Sequence, residues 1–552
     1  MSQSTPDATA AGDAARSGGS NVVETMQSLI VAFVVAMTFR AFVTEGFVIP
    51  TGSMAPTLLG QHLDFRAPET GWRYAVGFDA SAGPGQDLGR RLRDLSDPLM
   101  GPNRPEPGTA ALRRLHPRAG DRILINKLYY AFFEPKRFDV VVFKNPTNPN
   151  GADGNFIKRL VGLPDESLWL LDGDVFSAPL EAADDFERYE IRRKPDHVQA
   201  AVWQPVFRSM HLPEDMDADP RRNPLAGEGW TFAEGAYVHE GTGPAVLAWS
   251  KDARRLLNDW HAYNQLSRTA DPGDELVGDL RVAGTVTPGR DDARIAIELD
   301  VRGTQYRWEL GGGTARLRMR PEALAGEGPE AGWTGPAAVE LPRLAAGRPV
   351  RVEAWHADQR MVLRVDGRAV IEHVYDWRPR ERLERTTGRP AGGDDAEALG
   401  ALAERGPSRM AELRWRFEGG PVELDRAEVD RDIHYAPYDA LKLRYGLQGN
   451  PPRPDLGDLR LDHGYGCHPT TPARMGPDQF YMLGDNTLAS SDSRAWGSPH
   501  PIVAETVDPS AFVVHRSLLM GKAWVVYFPA LHPITEGGRG FIPNFGDLRF
   551  IR

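Results

Sequence analysis

Apolar positions crowd one stretch near the start of the chain and then alternate with polar ones over much of its length. The crowded stretch is Val22–Val43. At about 1.5 Å per residue it makes a helix of about 33 Å, enough for a hydrocarbon core of about 30 Å. Its uninterrupted apolar part, Leu29–Met37, is short, and Glu24 and Arg40 flank it. Arg40 is placed to snorkel to the interface. A cleavable export signal is the rival reading, because a short apolar core suits one. The preceding residues 1–20 are rich in Ala, Ser, Gly and Asp and read as a disordered tail. They carry Asp7 and Asp13 against Arg16, not a basic lead-in, and no Ala-x-Ala site follows the apolar part. A retained transmembrane helix over residues 21–44 is therefore expected. Charge bias does not set its orientation.

Past the helix the period changes to two. Ile123 and Ile125 fall on one face of a strand, and Val140–Phe143 is a short continuous run suited to a strand buried on both faces. Between them and the helix, residues 62–118 form a Gly/Pro/Arg-rich interruption, a loop or small subdomain in which Trp72-Arg73-Tyr74 can anchor a small strand. Val175–Pro224 is mixed and polar. From about Trp230 the alternation returns. Ile295, Ile297 and Leu299 share a face, as do Tyr306, Trp308 and Leu310, then Ala315, Leu317 and Met319, then Val350, Val352 and Ala354. Asp366-Gly367 between Leu363-Arg364-Val365 and Arg368–Ile371 is a hairpin signal. This spacing predicts a β-sandwich over about 225–430. Arg380–Pro407 reads as a flexible loop. Near Arg431–Tyr435 the chain returns to its first domain, closes with the apolar strand Trp524–Phe528, and ends in a tail, Arg539–Arg552, with turn residues Pro543 and Gly546.

Composition narrows this picture. A chain of 552 residues holds two or three domains. A net charge of −11 offers no basic surface for nucleic acid. The single cysteine, Cys467, excludes an intrachain disulfide framework and a cysteine-rich zinc site.

The candidate chemistry lies just past the helix, in Phe47–Leu58. Pro50 and Pro56 favour extended backbone around Gly52-Ser53-Met54, and Gly52 permits a close approach. Ser53 there is either an exposed nucleophile or a turn serine after an anchor. A serine hydroxyl needs a base to remove its proton. No histidine sits in a recognisable triad context and no Gly-x-Ser-x-Gly elbow is present. A lysine serves only when neutral. Bringing its pKa from about 10.4 to near 8 disfavours the charge by roughly 3 kcal/mol, which burial supplies. Lys158, amid Phe156, Ile157, Leu160 and Val161, fits that demand; otherwise it is an edge-strand lysine reaching water.

The Ser53 stretch, the block Asn155–Pro164 around Lys158, and Gly484-Asp485-Asn486-Thr487-Leu488-Ala489-Ser490-Ser491-Asp492-Ser493-Arg494 occur in one order, with Gly120–Lys127 and Pro135–Phe143 between the first two. Together they resemble the type I signal peptidase family. The resemblance runs from about residue 22 to 171, with an interruption, and from about 431 to the end. It implies a mainly β fold: a signal-peptidase-like β catalytic domain after one N-terminal transmembrane helix, in parts 45–174 and 431–552. A β-rich insertion, 175–430, interrupts it. That insertion resembles the concanavalin-like jelly-roll domains that bind carbohydrate or serve as spacers, on the hairpin after the Trp355 strand.

The resemblance also assigns roles. Ser53 is the expected nucleophile and Lys158 the base that deprotonates it and later activates water. The Ser53 N–H and Thr51 hydroxyl are the expected oxyanion donors. Ser490 is expected to hydrogen-bond the lysine amine, and Asp492 with Arg494 to hold the closing loop; Arg159 and Asp485 are further support. A surface turn is the plain alternative for that loop. Phe47, Ile49, Met54, Leu58, Val142, Phe156 and Ile157 are expected to line shallow pockets for small residues, or else to be ordinary core. Thr487-Leu488-Ala489 stands where the family usually shows Arg-Asp-Asn, which puts the loop's polar network in question. The implied function is a signal peptidase I, a Ser/Lys serine endopeptidase that needs no cofactor or metal and cuts exported preproteins. It would be single-pass in the bacterial cytoplasmic membrane, with its catalytic domain on the outer face of the lipid bilayer. Two rivals remain: a tethered glycan- or polymer-binding sandwich on an inactive scaffold, and a Ser/Lys self-cleaving regulator. The absence of a DNA-binding motif and the anchor weigh against the second.

Overall fold

In a computed structural model of the chain, residues 10–78, 95–101, 117–150, 154–213, 220–266, 275–328, 331–407, 409–436, 464–529, 531–533 and 541–552 are described. Of the expected disordered tail, residues 1–9 lie outside the described residues, and residues 10–20 are not disordered but fall within the first helix. A helix, Ala10–Phe42, includes the apolar stretch Val22–Arg40, which is long and apolar enough to cross a membrane and is not buried among the described residues. One residue, Val43, separates the end of this helix from the first strand, Thr44–Val48.

That strand starts an antiparallel sheet in the order Thr44–Val48, Arg122–Asn126, Leu519–Phe528, Val140–Lys144, Asn155–Gly162, Gln479–Leu483, Val514–His515. Arg549–Phe550 adds to Leu519–Phe528. The two halves of the sequence thus interleave: the late strand Leu519–Phe528 lies between Arg122–Asn126 and Val140–Lys144, and the late strand Gln479–Leu483 pairs Asn155–Gly162. Ile123 and Ile125 are fully buried on one face with Val140, Val142 and Val526, as their period-two spacing requires. A smaller sheet, Ala473–Arg474, Glu166–Leu171, Asp174–Pro179, Glu190–Ile191, carries the pairing straight across residue 174.

The segment that follows builds two packed antiparallel sheets around one large core containing Ile295, Ile297, Leu299, Tyr306, Trp308, Leu317, Val352 and Ala354. Strands opposite in one sheet read inward and outward alternately, which is why the sequence pattern is so regular. Asp366 and Gly367 both take positive φ, 48° and 77°, the backbone a two-residue hairpin turn needs.

Arg380–Pro407 is not the loop its composition suggests. It forms two helices, Pro379–Thr387 and Ala396–Ala403, with Pro379 in the first turn of one and Asp395 capping the other by accepting from Ala398 N–H at 2.8 Å. Leu383, Leu399 and Leu402 bury themselves against Trp169, Phe176 and Tyr189 of the smaller sheet. A buried ionic lattice ties the sandwich and the first of these helices to the smaller sheet and the segment just after it: Lys194 on Asp358 at 2.6 Å, Arg302 on Asp172 at 2.6 Å, and Arg382 on Asp174 at 2.7 Å.

Candidate active site

Ser53 sits in a tight turn. Ala55 N–H donates to Gly52 C=O at 3.0 Å and Leu58 N–H to Met54 C=O at 2.9 Å. Gly60 runs so close under this turn that a Cβ on it would lie 2.2 Å from the Thr51 carbonyl carbon. Met54 and Leu58 point into the core with Ile49, Ile123 and Val142. That inward pull leaves the Ser53 side chain, 8% exposed, turned toward the neighbouring strand.

Lys158 is on that strand. Asn155–Gly162 has partners on both sides, so its lysine is not at an edge and its amine does not reach water; it is 3% exposed. Nζ donates to Ser53 Oγ at 2.7 Å and stands 5.1 Å from the centre of the Phe156 ring. Burial lowers the amine from its ordinary 10.5 to about 8; Asp492 and Asp485 pull it up in part and Arg494 pushes it further down.

The next residue anchors the turn. Arg159 Nε and Nη2 donate to Asp485 Oδ1 and Oδ2 at 2.8 and 2.6 Å, with neither side chain exposed. The Thr57 hydroxyl also donates to Asp485, tying the Ser53 turn to this pair. Asp492 receives Arg494 Nε and Nη2 at 2.9 and 2.8 Å and Gly484 N–H at 3.1 Å. Arg494 then donates to the carbonyls of Ala436 and Thr487 at 2.7 and 2.8 Å. The unusual Thr487-Leu488-Ala489 is therefore braced through its backbone, a contact indifferent to which side chain stands there.

Two expectations need correction. The Ser490 hydroxyl is fully buried but has no hydrogen-bond partner among the described residues, so the bond to the lysine amine is not formed. It lies against Gly484, where a Cβ would come within 2.2 Å of Ser490 Oγ and 2.4 Å of the Ser53 carbonyl oxygen, on the carbonyl side of Ser53. The expected pocket residues do not form one lining. Ile49, Met54, Leu58 and Val142 are core, whereas Phe47 and Ile157 are partly exposed beside them. Phe156 shares the strand face of Lys158, its ring 5.1 Å from the amine and 5.7 Å from the Trp496 ring between centres, whereas Ile157 lies on the other face. A strand alternates its faces, so Phe156 and Ile157 part ways. Thr51 is exposed beside Ser53.

Some contacts had no sequence signal. Asn486 Nδ2 donates to Gly52 C=O at 2.9 Å and to Asn264 Oδ1 at 2.8 Å, although Asn264 lies between sandwich strands. Far from Ser53, Asp174, Asp279 and Asp358 bring carboxylate oxygens within 4.8 Å of one another, but Arg382, Arg302 and Lys194 already donate to them.

A family model described as signal peptidase, peptidase S26, matches residues 112–214, a span that holds Lys158 and Arg159 and starts after Ser53. A signal peptidase I of Aquifex aeolicus is 55% identical over 42 residues, 8% of this chain and 15% of that protein. One of Leptolyngbya laminosa is 38% identical over 85 residues, 14% of this chain and 38% of that protein. The chain spans 15% to 38% of the length of the curated relatives it matches. Among solved structures, the laminarinase catalytic domain of Thermotoga maritima is 10% identical, covering 42% of this chain and 100% of that one at a TM-score of 0.26, too low to bear weight. By family model and curated relatives alike, the chain carries a type I signal peptidase domain.

Proposed function

We propose that the protein is a membrane-anchored serine endopeptidase that removes N-terminal signal peptides from exported preproteins, with Ser53 and Lys158 as its catalytic pair. The observation that carries this reading is the 2.7 Å contact between the Ser53 hydroxyl and a lysine amine that burial brings to about 8. A serine needs a base, and a lysine acts as one only when it is neutral near working pH.

The chemistry follows. Neutral Lys158 takes the Ser53 proton as Oγ attacks the scissile carbonyl. The developing oxyanion meets the Ser53 N–H and the Thr51 hydroxyl. The Lys158 ammonium returns that proton to the leaving amine as the C–N bond breaks. A water then gives its proton to Lys158 and attacks the acyl-serine ester, and the proton returns to Ser53 as the acid departs. Asp485 with Arg159, and Asp492 with Arg494, hold the turn and the closing loop around this pair.

The helix supports the choice of substrate. Val22–Arg40 passes almost directly into the first strand, which keeps Ser53 close to a bilayer surface. A preprotein held by its own apolar segment would present its cut site at the same level. Phe47 and Ile157 would offer a shallow apolar wall, with core side chains behind it leaving room only for small residues. The setting is the bacterial cytoplasmic membrane, with the catalytic domain on its outer face. In detergent, Ser53→Ala and Lys158→Ala should each abolish cleavage of a preprotein with small residues before its cut site. Near-normal rates in either variant would reject the pair.

A further inference from the structure

The loop joining the sandwich strands Ala245–Trp249 and Leu280–Pro288 reaches the nucleophile turn. Its short turn, Ala262–Asn264, is capped by the His261 side chain, which accepts from Tyr263 N–H at 3.2 Å. Tyr263 and Asn264 are both buried. The Tyr263 ring lies on two glycines: a Cβ on Gly52 would come within 2.0 Å of Cε1, and one on Gly77 within 2.5 Å. The Tyr263 hydroxyl donates to Gln61 C=O at 3.2 Å. Only glycine fits at position 52 under this ring.

Asn264 completes a relay. Its Nδ2 donates to Asn486 Oδ1 at 2.7 Å, and its Oδ1 accepts from Asn486 Nδ2 at 2.8 Å. This reciprocal pair fixes the rotation of the Asn486 amide. The remaining Asn486 Nδ2 proton is thereby aimed at Gly52 C=O, 2.9 Å away, while Asn486 N–H donates to Ser53 C=O at 3.1 Å. The Gly52–Ser53 peptide bond is trans, so its C=O and N–H point in opposite directions. Pinning the carbonyl therefore fixes where the Ser53 N–H points.

We propose that Asn264 is a positioning residue for the oxyanion hole: through Asn486 it locks the Gly52–Ser53 peptide so that the Ser53 N–H faces the developing oxyanion. The inference rests on the peptidase reading above. On this account the insertion is a working part of the peptidase site. Without Asn264, the Asn486 amide is free to turn, and the Gly52 C=O keeps its bond from Ala55 N–H at 3.0 Å but loses the Asn486 donor, so the Gly52–Ser53 plane is held less tightly. The interaction lost is one made in the transition state, so the effect belongs in kcat rather than KM.

The test uses the full chain in detergent, a preprotein substrate, and a peptide aldehyde with a small residue at its reactive end. The hemiacetal oxygen formed on Ser53 stands in for the oxyanion. Losing an oxyanion donor outright costs about 10²–10³ in kcat, so a misdirected one in Asn264→Ala should cost about tenfold or more. KM should stay within about twofold, and aldehyde affinity should fall in step with kcat. Asn264→Asp keeps the size and one acceptor but loses the donor, and should fall between the two, which covers the case of a poorly folded alanine variant. Asn486→Ala should match or exceed Asn264→Ala, and the double variant should be no worse than Asn486→Ala alone, because the two act in series. Normal kcat in Asn264→Ala, a loss confined to KM, or losses that add in the double variant would overturn the proposal alone. Absence of cleavage by the unaltered chain would overturn the peptidase reading, and this proposal with it.

Discussion

Asp485→Asn probes the buried scaffold most sharply. Arg159 and Asp485 meet through two hydrogen bonds of 2.8 and 2.6 Å, and neither side chain has exposed surface. Burial pushes the Arg159 guanidinium down, but the Asp485 charge and hydrogen bonds more than reverse that, so it stays charged. Neutralising Asp485 leaves a buried cation facing mainly the carbonyls of Phe138 and Arg552, at 2.8 and 3.2 Å. Breaking such a pair costs about 3–5 kcal/mol. At roughly 2–4 °C per kcal/mol, the unfolding midpoint of the peptidase part should drop by roughly 6–20 °C. The double variant Arg159→Met/Asp485→Leu removes both charges at similar volume and should recover most of that loss. The assay is thermal unfolding in detergent followed by circular dichroism. A midpoint for Asp485→Asn within about 2 °C of the parent, or a double variant no more stable than the single, would refute this reasoning. Cleavage should also fall in Asp485→Asn below its midpoint, since the Thr57 hydroxyl that donates to Asp485 belongs to the Ser53 turn.

Three further outcomes are expected. Lys158, the proposed base, acts only when neutral, and its pKa is lowered to about 8; kcat/KM should therefore rise about tenfold per pH unit below that value and level off above it, read as a pH–rate profile. Asp492→Asn removes the nearby carboxylate that raises Lys158 most; the acid limb of that profile should move to lower pH, with a loss of stability from the unpaired Arg494. Gly52→Ala drives a methyl into the Tyr263 ring; cleavage should fall at least about tenfold through the displaced nucleophile turn, and a second change, Tyr263→Ala, should restore part of it.

Much of this was readable in the chain, for physical reasons that differ from part to part. The sandwich strands announce themselves because each has one face in a shared core, so Ile295, Ile297 and Leu299 repeat every second residue and bury together. Asp366-Gly367 was readable because only a few residue types accept two successive positive φ angles. The helices at 379–403 were hidden. Their surroundings are rich in Arg, Glu, Gly and Asp, and only Leu383, Leu399 and Leu402 reach the core; the stabilising surface is supplied by Trp169 and Tyr189, some two hundred residues earlier. Ser53 and Lys158 could be paired only through a family resemblance. Their 2.7 Å contact joins a turn and a strand 105 residues apart, and no local periodicity reports such a distance. Asn264 gave no signal at all, since a lone asparagine in a loop becomes meaningful only when Asn486 is found opposite it. The expected lining failed for a simpler reason: residues adjacent on a strand cannot share one wall, as Phe156 and Ile157 show.

The most direct test of the dehydrated base is titration of the Lys158 amine itself, by NMR of the chain carrying ¹³C-labelled lysine, with Lys158→Met used to assign its signal. A midpoint near 8, well separated from the other lysines, is the expected result. A midpoint at the ordinary 10.5 would mean a permanently charged amine beside Ser53 at neutral pH, and would contradict the account.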